Sequence, residues 1–297
     1  MDTPGRGLIP HDNLQTGLIA VSAAPVVFDW DNIPAKNVLG VGTNQGSSST
    51  CQTQVVKMAI KRKYPSLDIP VADIYSNIKL PGGGAYYVAP VMFLQQHGLA
   101  SNLMYPDPNP ETEANMSVLL PIQDSDRLQL LQLSFNYVNN PTIDQVAQAI
   151  LDHDAVGLAI YYTNAGFQKA WMHPSFPVGS PMNEGHALLT NMPQLDSANS
   201  SLREISTMTS WYGAMGPDGA CTQHIIDWDF FINGGVYGML IIDMNLLPYE
   251  YTTLQGFTEG QIASMDPKLV EALKMNAQGQ KNIGLNGKLA FKDPNFS

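Results

Sequence analysis

From Cys51 the apolar positions fall at helical spacing, with Val55, Val56, Ala59 and Ile60 on one side of a helix that Pro65 stops. Ser49 or Thr50 can cap its start. Lys61, Arg62 and Lys63 fill the last turn, where cations offset the helix dipole, so the basic cluster is read as helix-end chemistry and not as a partner site. A Gly-rich turn, Pro81-Gly82-Gly83-Gly84, opens a second helix that runs through Gln95-Gln96 and stops at Gly98. Residues 101–116, rich in Pro, acids and amides, form a loop. Thr142 to Asp152 is a short amphipathic helix with Ile143, Val146, Ala147 and Ile150 on one face.

Beyond that point the pattern changes to strands. Residues 155–162, 186–191, 204–211 and 235–243 are rich in Ile, Val, Leu, Tyr and Thr and are separated by Gly, Pro and Asn turns. Helices first and strands second predict an α+β protein of two halves. Residues 1–23 read as an extended arm, and 248–297 as an extension with one helix over 267–275.

Composition narrows the function classes. The chain has 297 residues, 44% of them hydrophobic, enough for one large domain or two halves around a cleft. No apolar run reaches the roughly 18 residues of a membrane span. Residues 1–24 lack a basic region followed by a long apolar one, so no classical secretion signal is expected. A net charge of -11 argues against a nucleic-acid partner, since phosphate binding needs a basic face. Charged residues make up only 14%, which fits a surface partly covered by neighbours in an assembly. Two cysteines, Cys51 and Cys221, allow at most one bridge and suit a reducing compartment. No Cys/His spacing is of metal-ligand type, and no cofactor is implied.

The stretch from Asn44 to Cys51 carries the most chemistry. A thiol at the first turn of a helix sees the positive end of the dipole and unpaired N–H groups, both of which favour thiolate. A Gln amide a few residues upstream can supply an oxyanion donor beside the Cys N–H. A small buried Cys opening a core helix satisfies the same local pattern, and the local residues leave both readings open.

In longer range the chain resembles the papain-like cysteine peptidases. Asn44-Gln45-Gly46 followed by Cys51, six positions after the Gln, is similar to that family's active-site segment. Pro25 and Asp29-Trp30 stand about fifteen residues or more ahead of that Gln, like the opening of the family's mature domain. Gly83-Gly84 and the helix after it resemble the segment lining the substrate cleft, and Tyr105-Pro106 the Tyr-Pro beyond it. Residues 155–162 and Phe167 resemble the strand ahead of the catalytic His. Gly185-His186-Ala187 resembles the His site, Thr209-Ser210-Trp211 falls on the Asn-Ser-Trp site, and residues 234–237 resemble the closing Gly-Tyr strand.

The resemblance spans roughly residues 24 to 247. It implies a two-lobed α+β fold, with a helical half (about 24–120), an antiparallel, barrel-like β half (about 121–247) and a cleft between them. It implies a peptidase acting on peptide or protein substrates, with Cys51 as nucleophile, His186 as base and acid, Gln45 at the oxyanion position and Thr209 orienting the His. Gly83 and Gly84 would receive an extended substrate, and Trp211 would shield the His.

The chain departs from the family in three places. Thr209 replaces the orienting Asn with a shorter, freely rotating hydroxyl, so reduced activity is expected. Gln52 stands where a Trp normally follows the nucleophile, and Ser48 stands at a position of a stapling cysteine. The arm at 1–23 is too short to fold as the family's helical inhibitor, and an insertion containing Cys221, read as structural, follows Trp211. These departures leave two readings: a cysteine endopeptidase, or a scaffold that keeps the fold and binds partners. An arm, an extension and few charges suit a cytoplasmic or virion-associated protein restrained by assembly through 1–23 and 248–297.

Overall fold

Thirteen residues, Cys51–Lys63, form helix α1, and its positions from Cys51 through Ile60 are all buried. The sequence pattern predicts one apolar face. The structure instead covers the polar Gln52, Thr53 and Gln54 as well, because α1 packs between strands and two further helices, α2 (Val71–Ile78) and α3 (Ala89–His97). The last-turn cations act as pins to the strands. Arg62 donates to Thr190 O and Asn191 Oδ1, each at 2.6 Å, and Lys63 reaches Asp154 and Met244 O. Burial lowers the Arg62 guanidinium to about 10.

The computed structural model describes residues 8–9, 26–36, 42–65, 67–102, 104–123, 126–161, 185–196, 198–210 and 223–247. Trp211, Phe167, Cys221, the 267–275 helix and the 248–297 extension lie outside them.

Helix α2 is not foreseen from the sequence. It is held by a bidentate ion pair, Arg127 Nη2 to Asp73 Oδ1 at 2.7 Å and Nη1 to Oδ2 at 2.5 Å, with the side chains only 6% and 2% exposed. The Arg127 guanidinium also lies over the Phe93 ring of α3. A four-residue helix, α4 (Glu113–Met116), capped by Thr112, interrupts the predicted 101–116 loop.

The remaining elements build one sheet. Strands β3 (Leu131–Asn139), β4 (Ala155–Tyr161), β5 (Gly185–Leu195), β6 (Arg203–Met208), β7 (Gln223–Asp227) and β8 (Val236–Leu246) pair antiparallel. Two short strands, β1 (Leu8–Ile9) and β2 (Ala85–Tyr86), extend it in the order β2-β1-β5-β4-β8-β3, while β6 and β7 continue from β5. Among the described residues this sheet is open. Helix α5 (Ile143–Asp152) carries the full capping box of Thr142 and Gln145, and α6 (Trp228–Ile232) follows β7. No helix among the described residues is long and apolar enough to cross a membrane.

Two core clusters flank the sheet. One joins α1 and α3 to it through Val55, Met58, Val91 and Leu94 with Leu133, Leu189 and Leu240. The other seats α5 with Phe28 and Trp30 against Val156, Leu158, Leu188 and Ile205. Trp30 donates to Asp144 Oδ1 at 2.7 Å, which fixes the Asp29-Trp30 segment on the sheet's α5 side. Strand β4 serves both clusters, hence its almost continuous burial. Gly157 is required there by close approach: a Cβ would come within 2.3 Å of the Tyr87 hydroxyl, which donates to Leu158 O and pins the helical half to the sheet.

Candidate active site

The loop from Asn44 to Thr50 is held from both halves of the chain. On one side, Ser47 N donates to Glu111 O at 3.0 Å and Ser49 N to Glu113 Oε2 at 2.8 Å. Gly46 adopts φ +55, and a Cβ there would lie 2.3 Å from Glu111 O, so only glycine fits without displacing the backbone. On the other side, Gln45 N donates to Ser210 O at 2.8 Å, and Ser210 Oγ donates to Gln45 Oε1 at 2.7 Å. The Gln45 amide nitrogen donates one hydrogen to Ser48 O at 2.7 Å. Those bonds orient the amide by both ends, with the loop and the segment after β6 joined through one residue.

Cys51 is the first residue of α1 and is fully buried. Thr50 occupies the N-cap position but does not cap with its side chain; its hydroxyl pairs with Ser48 Oγ at 2.8 Å. The Ser48 hydroxyl also reaches Gln45 O at 2.6 Å, so it ties both sides of the loop by hydrogen bonds. The Cys51 thiol contacts Gln52 Oε1 at 3.5 Å.

His186 stands near the start of β5, opposite Ile160 of β4, and is fully buried. Its Nε2 lies 3.0 Å from Thr209 Oγ1, just past the end of β6. The structure thus brings the expected orienting residue onto the imidazole. Helix α1 packs directly on β5, and Cys51 belongs to the same core cluster as Ala187, Leu189 and Tyr237. Burial pushes the Tyr87 and Tyr237 phenols well above their ordinary range, with charge on Cys51 adding to it, so neutral hydroxyls surround this end of α1.

Gly83 and Gly84 sit in a tight turn at φ +94 and +73. Gly84 N donates to the buried Tyr75 hydroxyl at 2.8 Å, and that hydroxyl donates to Glu113 Oε1 at 2.7 Å. Glu113 therefore links the Gly turn to Ser49, two residues before Cys51. Trp211 lies outside the described residues. Ser210, Tyr75, Glu113 and Gln52 are site neighbours that the sequence reading does not assign such contacts. Ser210 and Gln52 had a signal, the first its place inside the Thr-Ser-Trp match and the second its place directly after Cys51.

The segment after the Gly turn meets an unexpected partner. Leu8 and Ile9 of β1 pair in parallel with Ala85 and Tyr86, and Leu8 pairs antiparallel with Gly185. The arm's backbone therefore bridges the Gly83-Gly84 side to the residue immediately before His186.

Glu111, under the loop, is pushed up to about 7 by burial first and by Asp107 second, against the opposing Lys57 and the Gln54 hydrogen bond. Between about pH 4.5 and 7 the folded state holds a proton here that the unfolded state has released. Stability conferred through this group is therefore greatest at low pH and falls as pH rises to about 7. Glu111→Gln should remove that slope and stabilise the chain at pH 7 by at most about 3 kcal/mol. Urea titrations of both proteins from pH 4.5 to 7.5 check it; stability curves that run parallel would contradict it.

No sequence-family model and no curated protein sequence matches this chain. Solved structures do. Xylellain, a cysteine protease from Xylella fastidiosa, is similar at TM-score 0.56 and 14% identity, over 82% of this chain and 97% of that one. Procathepsin L2 of Tenebrio molitor larval midgut is similar at TM-score 0.56 and 17% identity, over 81% and 78%. Procathepsin B from Trypanosoma congolense is similar at 0.54 and 14%, over 82% and 87%. The chain has the α+β fold of the papain-like cysteine proteases.

Proposed function

We propose that this chain is a cysteine endopeptidase in which Cys51 and His186 form the reacting pair. The carrying observation is the clamp that sets Thr209 on His186 Nε2 and Ser210 on Gln45, from consecutive residues. With Nε2 engaged by Thr209, Nδ1 is the nitrogen that serves Cys51. The thiolate attacks the scissile carbonyl carbon, and the oxygen takes the electron pair. The Cys51 N–H and the second hydrogen of the Gln45 amide stabilise that oxyanion, each donor contributing about 3 to 4 kcal/mol by analogy with serine enzymes. The imidazolium protonates the leaving amine as the tetrahedral adduct collapses to a thioester. Neutral His186 then takes a proton from water, whose hydroxide displaces Cys51 and frees the acid.

Substrate would lie extended between the Gly83-Gly84 turn and the start of β5, adding its backbone to the edges that β1 pairs with. In the full chain β1 occupies that slot. The second reading, a scaffold without turnover, is favoured by the zero exposure of Cys51 and His186.

One assay separates the two. A peptide library is incubated with the full chain, with Cys51→Ala and with a Leu8→Pro/Ile9→Pro chain, since proline removes two backbone donors from β1. Cleavage that Cys51→Ala abolishes, and that the proline variant accelerates several-fold, supports the peptidase restrained by its arm. No Cys51-dependent cleavage by either folded chain leaves the scaffold.

A further inference from the structure

We propose that Gln52 is a positioning residue for Cys51, its amide accepting from the thiol and, after swapping ends, donating to the thiolate. Adjacent residues on a helix do not normally face each other. Here the longer side chain nevertheless brings Oε1 to 3.5 Å from Cys51 Sγ. Gln52 is fully buried, and its Nε2 has no hydrogen-bond partner among the described residues. A buried amide left in that state costs about 1 to 3 kcal/mol. An apolar residue of the same length would fill the space without that cost, so packing alone does not account for the amide.

The chemistry of sulfur does. A thiol is a weak donor and a thiolate only an acceptor. The two ends of a Gln amide are nearly equal in size, and a half-turn about the last torsion exchanges carbonyl and NH2. In the orientation observed, Cys51 S–H donates to Oε1. In the exchanged orientation Nε2–H points at sulfur, where it stabilises the ionised form. The amide thus follows the proton, and no bond is made or broken at Gln52. This role rests on the peptidase reading only in requiring that Cys51 ionise.

The test uses the full chain in a Cys221→Ser background, so that Cys51 is the only thiol. Cys51 alkylation by iodoacetamide is followed from pH 4 to 9 in the parent, Gln52→Met and Gln52→Glu. Methionine keeps the length but offers no N–H, and should move the midpoint up by about half to one unit. Glutamate adds a like charge and should move it up by about one to two units, slowing labelling about tenfold or more below the midpoint. Profiles that overlay the parent overturn the assignment. Because either variant could lose the fold, the side-chain amide of Gln52 is also followed by 15N NMR in the parent. Resonances that move with the Cys51 midpoint support the swap, and an amide unmoved across it overturns it. A parent that alkylates only near pH 8.5 would sink the peptidase reading. The Gln52 role is still decided then, by whether the variants and the amide track that higher midpoint.

Discussion

Replacing His186 by alanine is expected to lower kcat on a cleaved peptide by about four to six orders of magnitude, with KM within a few-fold of wild type. The loss is this large because in the proposed mechanism one imidazole would serve three steps: holding the thiolate, protonating the leaving amine and activating water. Binding would survive, since in the proposed mechanism the extended substrate would be received by backbone of the Gly83-Gly84 turn and of β5. The fold would survive as well. His186 is buried, but alanine keeps its backbone pairing opposite Ile160, and the loss of the ring's hydrogen bond to Thr209 Oγ1 costs about 1 to 3 kcal/mol, less than a folded domain's stability. Steady-state kinetics with circular dichroism of both proteins check this; a folded variant keeping a tenth of wild-type kcat would remove His186 from the mechanism.

Asp73→Ala is expected to cost about 3 to 5 kcal/mol of folding stability, because it strips the carboxylate from a guanidinium that stays buried. Few surface pairs are worth as much as 1 kcal/mol. This one is bidentate and 6% and 2% exposed, and it joins α2 to the chain entering β3. Its effect reaches the site. Helix α2 carries Tyr75, whose hydroxyl receives Gly84 N and donates to Glu113, and Glu113 receives Ser49 N. The variant should therefore open the Gly turn and the nucleophile loop together. Replacing both partners by apolar residues should cost less than the single change, since no charge is then stranded. Urea denaturation measures each; a single-variant loss under 1 kcal/mol would mean that water reaches Arg127.

Elements with a strong local pattern were legible in the sequence. Helix α1, the end of α3 at Gly98, the capped α5 and the strands β4, β5 and β8 lie within a few residues of expectation. Strand β3 is different: Leu131, Leu133, Phe135 and Tyr137 alternate with polar residues, yet the sequence reading assigns no strand to them. Helix α2 has only eight residues, and much of its security comes from Arg127, more than fifty positions away, which no local period reveals. The same holds for the site. Gln45, Cys51, His186 and Thr209 are candidates because their order and spacing resemble a family pattern, and the structure puts Thr209 on His186. Glu113 could not be picked out, because it opens the four-residue α4, which is too short to show a period. Strand β1 was equally hidden: two residues in an arm carry no pattern, and their pairing depends on edges supplied by Ala85 and Gly185.

Cys51 and His186 are expected to share a proton, and the pH dependence of Cys51 alkylation decides whether they do. Wild type and His186→Ala, both as Cys221→Ser chains, are treated with trace iodoacetamide from pH 4 to 9. An imidazolium-held thiolate predicts fast labelling already at about pH 5 to 6 in wild type, and loss of that limb in His186→Ala. Labelling that rises only near pH 8.5 in both, as for an ordinary thiol, would contradict the pair and the peptidase with it.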